Sequence, residues 1–219
     1  KITPQDTLRL HYFAPDTDTP RAAVVFFFGG GWVQGNPGQF YHHCKHLAAQ
    51  GIAAFSAEYR VESRHGTTPF ECVKDGKSAV RWLEEHADEF GFEPEHVIAA
   101  GGSAGGHVAA CTALIEAVND TSDHLQVSSL PAALVLFNPV IDTSERGYGY
   151  DRLGERFAEI SPVHHVRAKL PPTLIFHGTA DTTVPFENVR RFCDAMHDHD
   201  NRCAIIAFEG KGHAFFNYG

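Results

Sequence analysis

Val97-Ile98-Ala99-Ala100-Gly101-Gly102-Ser103-Ala104-Gly105-Gly106 runs from an apolar strand pattern into the first turn of an apolar-faced helix. A serine with glycine two residues before and after it suits a very tight strand-to-helix turn, because small neighbours let the backbone pass close to adjacent elements. The turn presents the hydroxyl at a helix N-terminus, where a base within reach would make it a nucleophile for acyl transfer. A glycine-rich turn of this kind can also cradle a phosphate. No Lys-Ser/Thr pair follows these glycines, however, and three candidate strands precede them, whereas a dinucleotide-binding turn normally opens the first βα unit.

On either side of this turn, apolar or alternating runs predict strands near Leu8–Phe13, Ala22–Phe28, Ile52–Ala57, Val97–Ala100, Ala133–Phe137, Thr173–Phe176 and Ala204–Phe208. Between them, three-to-four-residue spacing gives helical faces. One is Phe40, Cys44, Leu47 and Ala48; a second is Phe70, Val73, Val80, Leu83 and Ala87. Ala104, Val108, Cys111, Ile115 and Val118 make a third, and Phe186, Val189, Cys193 and Met196 a fourth. Strands alternating with helices predict an α/β fold in a single domain over residues 1–219: a mostly parallel, doubly wound sheet flanked by helices. Loops at the carboxyl ends of the strands would then build the site. The segment from Asp142 to Pro162 lacks periodicity and reads either as a flap or as an ordinary surface excursion.

A formal charge of −9 and the lack of a basic run argue against nucleic acid or an anionic membrane as principal partner. The longest apolar stretch, Ala22 to Phe28, is too short to span a bilayer, and the start at Lys1 has no secretory h-region. A soluble protein is expected, either cytoplasmic or a mature secreted form. Five cysteines lack both disulfide-framework density and C-x-x-C spacing, so at least one is unpaired and most read as small buried hydrophobes. A Cys193–Cys203 bridge stays open.

Ser103 at its ordinary reactivity needs a general base, and the base needs a carboxylate to fix its tautomer. After the strand Thr173–Phe176 comes His177-Gly178-Thr179-Ala180-Asp181-Thr182-Thr183-Val184-Pro185, a turn presenting Asp181; after the final strand, Gly210-Lys211-Gly212-His213 presents His213. Asp142 also follows a strand and competes for the acid role, which the turn-rich sequence around Asp181 better suits. His107, four residues after Ser103 on one helix, reads as a structural polar group under the turn. A fourth segment, Phe28-Gly29-Gly30-Gly31-Trp32, allows backbone N–H groups to converge on a negative oxygen. Its expected donors are Gly30 and Gly31, joined by Ala104. His42 and His46 stand at metal-ligand spacing, but nothing obvious completes a shell, and no metal is expected. Trp32, Tyr148 and Tyr150 are candidates to line a substrate pocket, or equally packing material.

These segments, with Glu58-Tyr59-Arg60 and Ser161-Pro162, resemble the α/β-hydrolase superfamily, in particular the bacterial carboxylesterases and acetylesterases related to hormone-sensitive lipase. The order Ser103, Asp181, His213 follows the chain order of that superfamily. The resemblance covers nearly the whole chain and implies an α/β-hydrolase fold with a small lid or none. It implies hydrolysis of short-chain acyl esters, acetylated carbohydrate among them, through an acyl-enzyme without metal or organic cofactor. Phe28 stands where the family's oxyanion loop usually begins with histidine, and Gly102 where the lipase branch often has an acid. The resemblance also leads one to expect a last helix where the sequence stops at Gly219. Two other readings stay open. The loop 178–185 is similar to that of prolyl-oligopeptidase-type serine peptidases or amidases, and some hydrolase-fold proteins bind without turnover.

Overall fold

Val25 and Phe27 fall on one side of the second strand, and Val24 and Phe26 on the other, and all four are buried. An alternating strand buried on both sides must lie inside a sheet covered by two layers. The computed structural model describes residues 1–17 and 20–218. In chain order its elements are β1 (Leu10–Phe13), β2 (Ala23–Phe27), α1 (Tyr41–Ala48), β3 (Ala53–Ala57), α2 (Glu62–His65), α3 (Pro69–Glu85), α4 (Ala87–Phe90), β4 (Val97–Gly102), α5 (Ala104–Leu114), β5 (Ala133–Phe137), α6 (Tyr150–Leu153), β6 (Thr173–Gly178), α7 (Phe186–Asp198) and β7 (Cys203–Phe208).

The strands form one sheet in the order β1-β3-β2-β4-β5-β6-β7. β1 lies antiparallel on β3 at one edge, and every other pairing is parallel. Two apolar layers sandwich the sheet. Val25, Phe27 and Ala99 join Val73, Val80, Leu83, Val108, Val189 and Phe192 from α3, α5 and α7 in the larger core. On the opposite face Val24, Phe26 and Ala100 pack with Phe40, Cys44 and Phe216.

Local chemistry fixes the helix ends that matter for the site. Thr68 and Glu71 form a reciprocal capping box around Pro69 at the start of α3. One turn further on, Asp75 receives the Arg60 Nε and Nη2 at 2.8 Å each, tying the chain after β3 to α3. Both groups are buried, and each has a second ionic partner, Lys1 at 3.0 Å for Asp75 and Asp120 at 3.6 Å for Arg60. The periodicity that reaches Val118 overruns the third helix, because α5 stops at Leu114. Its last carbonyls leave the helical ladder for two cations. Lys77 Nζ donates to Ile115 O at 2.6 Å, and Arg167 donates to Leu114 O and Ala113 O at 3.0 and 3.1 Å. Cations belong at that end of a helix, although burial pushes the Lys77 amine down to about 8.

Cys193 and Cys203 form a disulfide joining α7 to β7, while Cys44, Cys72 and Cys111 are free and buried. Among the described residues no helix is long and apolar enough to cross a membrane. Gly219, where a further helix was expected to follow, lies outside the described residues.

Candidate active site

Ser103 sits between β4 and α5 at φ 55° and ψ −119°. A side-chain-bearing residue is disfavoured there by roughly 1–3 kcal/mol, so its neighbours must enforce the conformation. The Ser103 N–H donates to Phe137 O at 2.9 Å, and its carbonyl accepts from His107 N and Val140 N at 3.1 and 3.2 Å. The flanking glycines are demanded by space. A Cβ on Gly101 would stand 2.4 Å from Gly105 O, and one on Gly105 would stand 2.0 Å from Phe27 O. A Cβ on Gly102 would fall 2.3 Å from the Phe216 ring, so an aromatic side chain from the far end of the chain fills the space an acidic side chain would need.

His213 reaches Ser103 from the turn after β7. Its Nε2 lies 2.9 Å from Ser103 Oγ, and its Nδ1 lies 2.7 Å from Asp181 Oδ2. An ionised carboxylate only accepts, so Nδ1 carries the proton and Nε2 is left to accept from the serine hydroxyl. Asp181 Oδ1 accepts from the backbone N–H groups of Thr183 and Val184, both at 2.9 Å. Its Oδ2 also accepts from Asn138 Nδ2, and His177 Nε2 approaches to 3.4 Å. Burial alone would raise the pKa of this carboxyl; hydrogen bonds from His177, His213, Val184 and Asn138 outweigh it and hold the pKa well below the usual range. Asp142 is turned elsewhere. It pairs with Arg191 at 2.9 Å and accepts from Ser144 N at 2.9 Å.

The glycine loop lies against Ser103, since a Cβ on Gly29 would come within 3.3 Å of Ser103 Cβ. Gly30, Gly31 and Trp32 follow at φ 124°, 63° and 62°. Gln39 Oε1 takes the Gly29 N–H at 2.6 Å. Among the described residues the Gly30 and Gly31 N–H groups donate to no protein acceptor. Ala104 opens α5, and the first N–H groups of a helix have no partner within it. Phe28 does not leave the loop unanchored. Its ring stacks on Tyr59 with centroids 4.1 Å apart, and the Tyr59 hydroxyl donates to Phe28 O at 2.5 Å.

The three pocket candidates separate. Trp32 is 1% exposed, and its indole donates to His107 Nδ1 at 3.2 Å, so this side chain is packing. The Tyr148 hydroxyl stands 2.8 Å from the point a Gly31 Cβ would occupy, at the rim of the glycine loop. Tyr150 packs on Phe157 and borders a separate cavity of about 480 Å³ with Arg146, His164 and Arg191. The segment beginning at Asp142 folds back on itself, with Tyr148 N donating to Asp142 O at 3.0 Å. His42 stacks on Tyr218, and among the described residues no group of three or more His, Cys, Asp or Glu is arranged to hold a metal.

Asn138, His177, Gln39 and Phe216 were not singled out by the sequence. Only Asn138 left a signal there, as an asparagine directly after a strand, a residue type that tolerates the positive φ of 40° it adopts in the structure.

A mostly parallel sheet between two helical layers, with serine, acid and histidine meeting at the carboxyl ends of its strands, defines an α/β-hydrolase. Within that fold the chain belongs to the BD-FAE family, whose model matches residues 11–145 and 147–196. Esterase LipC of Mycobacterium tuberculosis is 29% identical over 90% of this chain and 53% of its own length. Esterase 2 of Thermogutta terrifontis phosphoramylated by tabun is 46% identical, with a TM-score of 0.95, across all of this chain and 84% of that one. A propionate-bound structure of the same enzyme gives 44% and 0.93, with the same coverage. The chain spans about half the length of the curated relatives it matches.

Proposed function

We propose that this protein is a serine esterase acting on short-chain acyl esters, acetyl groups on carbohydrate included. The observation that carries the reading is the hydrogen-bonded run from Asp181 through His213 to Ser103 Oγ, with 2.7 and 2.9 Å links. Ser103 Oγ attacks the ester carbonyl while its proton passes to His213 Nε2, and the carbonyl π electrons move onto oxygen. The N–H groups of Gly30, Gly31 and Ala104 stabilise that oxygen. Collapse expels the alcohol, which leaves with the proton from His213. Water then attacks the acyl-enzyme by the same route, releasing the acid and restoring Ser103. Asp181 keeps His213 in the accepting tautomer throughout.

The short-acyl part is supported by the Tyr148 hydroxyl, which crowds the rim of the glycine loop 2.8 Å from the point a Gly31 Cβ would occupy. The propionate-bound structure of the Thermogutta enzyme fits the same expectation. The test is hydrolysis of p-nitrophenyl esters from acetate to octanoate by wild type and Ser103→Ala, with the matching anilides alongside. Turnover is expected to be strongest on the shortest esters, weak or nil on anilides, and reduced by roughly 3 or more orders of magnitude in Ser103→Ala. Activity retained in that variant would remove Ser103 as nucleophile, and a maximum at octanoate would remove the short-acyl assignment.

A further inference from the structure

The glycine loop is held in a costly shape. Three consecutive residues have positive φ, and the third, Trp32, is not glycine. A left-handed conformation costs a side-chain-bearing residue about 1–2 kcal/mol, so something must fasten Trp32. Two groups do so. Glu62 N donates to the Trp32 carbonyl at 3.0 Å, and the indole N–H donates to His107 Nδ1 at 3.2 Å.

His107 in turn is fully buried on α5, the helix that begins immediately after Ser103. Its Nε2 lies 2.7 Å from Ile160 O. A carbonyl only accepts and an indole N–H only donates, so the two partners force the neutral ring with its proton on Nε2. Burial agrees with this, pushing the ring's pKa down to about 4, against a smaller opposing effect of the Ile160 carbonyl. The ring thus links the nucleophile's helix, the glycine loop and the turn ending at Ile160. The same indole is flanked by the Tyr148 ring and by Gly149, where a Cβ would meet it at 2.5 Å.

We propose that His107 is a positioning residue for the reaction proposed above: by accepting the Trp32 indole N–H it holds Gly30 and Gly31 so that their N–H groups converge on the oxyanion. It touches no reacting atom. The inference rests on the esterase reading, and its specific content is that the Nδ1 bond to Trp32 matters and the Nε2 bond to Ile160 does not.

Asparagine and glutamine separate the two bonds. In His107→Asn the amide oxygen takes the place of Nδ1, and in His107→Gln the amide nitrogen takes the place of Nε2. With His107→Asn, kcat on p-nitrophenyl acetate is expected within about 3-fold of wild type; with His107→Gln it should fall by roughly 10- to 100-fold while KM stays within about 3-fold. Trp32→Phe should reproduce the glutamine loss, and the double variant should lose no more than either single one. Hydrogen exchange at the Trp32 indole N–H, resolved from the exposed Trp82 by NMR, should stay slow with asparagine and become fast with glutamine. This readout does not depend on turnover.

Equal kcat in the two His107 variants, or a loss confined to KM, overturns the proposal. So does a loss that follows the melting temperature whichever bond is kept. If His107→Gln does not fold, Trp32→Phe decides alone, and unchanged kcat there overturns the proposal. Absence of Ser103-dependent ester turnover in wild type would instead overturn the esterase reading, and this inference with it.

Discussion

The loop after β6 concentrates hydrogen-bond donors from Asn138, Thr183, Val184 and His213 on the single carboxylate of Asp181. The loop after β2 has no charged group at its centre and takes its shape from three successive residues at positive φ. Both end beside Ser103. The first is organised by charge and fails when charge or tautomer changes. The second is organised by space and fails when a methyl group is added. The difference teaches that two halves of one site can be disabled by different chemistry.

The largest effect belongs to the charged half. Asp181→Asn keeps the shape but can donate toward His213, favouring the wrong tautomer, and should lower kcat on the order of 10⁴-fold, with a fall in melting temperature from the loss of the hydrogen-bonded carboxylate. A loss under about 10-fold would show that charge is not what that loop supplies. Gly30→Ala attacks the other half, because its methyl would sit 2.2 Å from Gln34 O at φ 124°. Its kcat should fall by roughly 10²- to 10³-fold, as when an oxyanion donor is lost, and the melting temperature should fall with it. A variant with full activity would mean that the loop's shape is not required.

Acid should separate the halves by pH. The folded protein disfavours protonated His107, so the unfolded chain binds more protons below about pH 6.5, and stability falls as pH drops from there to about 4. That contribution is on the order of 3 kcal/mol. The depressed Asp181 carboxyl acts later. Its contribution is present above its unfolded pKa near 4 and is lost as pH falls below that value. Glu84, raised to about 7 by burial, runs the opposite way between its unfolded value and about pH 7, so the comparison must be with a variant. Urea midpoints of wild type and His107→Asn should change their separation between about pH 4 and 6.5 and run parallel below and above that window. Parallel curves across the whole range would place no titrating cost at His107.

The smallest effect is the sharpest test of space. An alanine methyl at Gly31 meets only the Tyr148 ring, with the hydroxyl at 2.8 Å and Cζ at 3.8 Å. Gly31→Ala should cost about 1–2 kcal/mol of stability from its left-handed backbone, plus a loss of activity that Tyr148→Phe relieves. No relief would mean that the tyrosine is not what crowds that position.

Much of this was legible in the sequence, and the boundary has a physical cause. Strand and turn signals are local, so Gly101–Gly105, the Asp181 turn and the His213 turn stood out, and the parallel sheet followed from the alternation of patterns. What escaped depends on partners far away in the chain. Gln39 reaching Gly29, Asn138 reaching Asp181 and Phe216 filling the space beside Gly102 have no periodicity to betray them. Helix α5 ends at Leu114, and its last carbonyls are taken by Lys77 and Arg167 from outside it, partners that no local pattern reveals. Trp32 could be assigned to a pocket or to packing only by finding its hydrogen-bond partner, His107, which is 75 residues away.

The Phe216 ring beside Gly102 also bears on the protein's life before it is finished. Ser103 and His213 are 110 residues apart, and Phe216 comes later still. At roughly 5–20 residues per second, a ribosome exposes Ser103 about 5–20 s before His213 and Phe216. During that interval the emerging chain has Ser103 but neither His213 nor the Phe216 ring that packs beside Gly102. On the proposed mechanism, the order of synthesis therefore keeps Ser103 without its partners until the segment carrying His213 and Phe216 has docked.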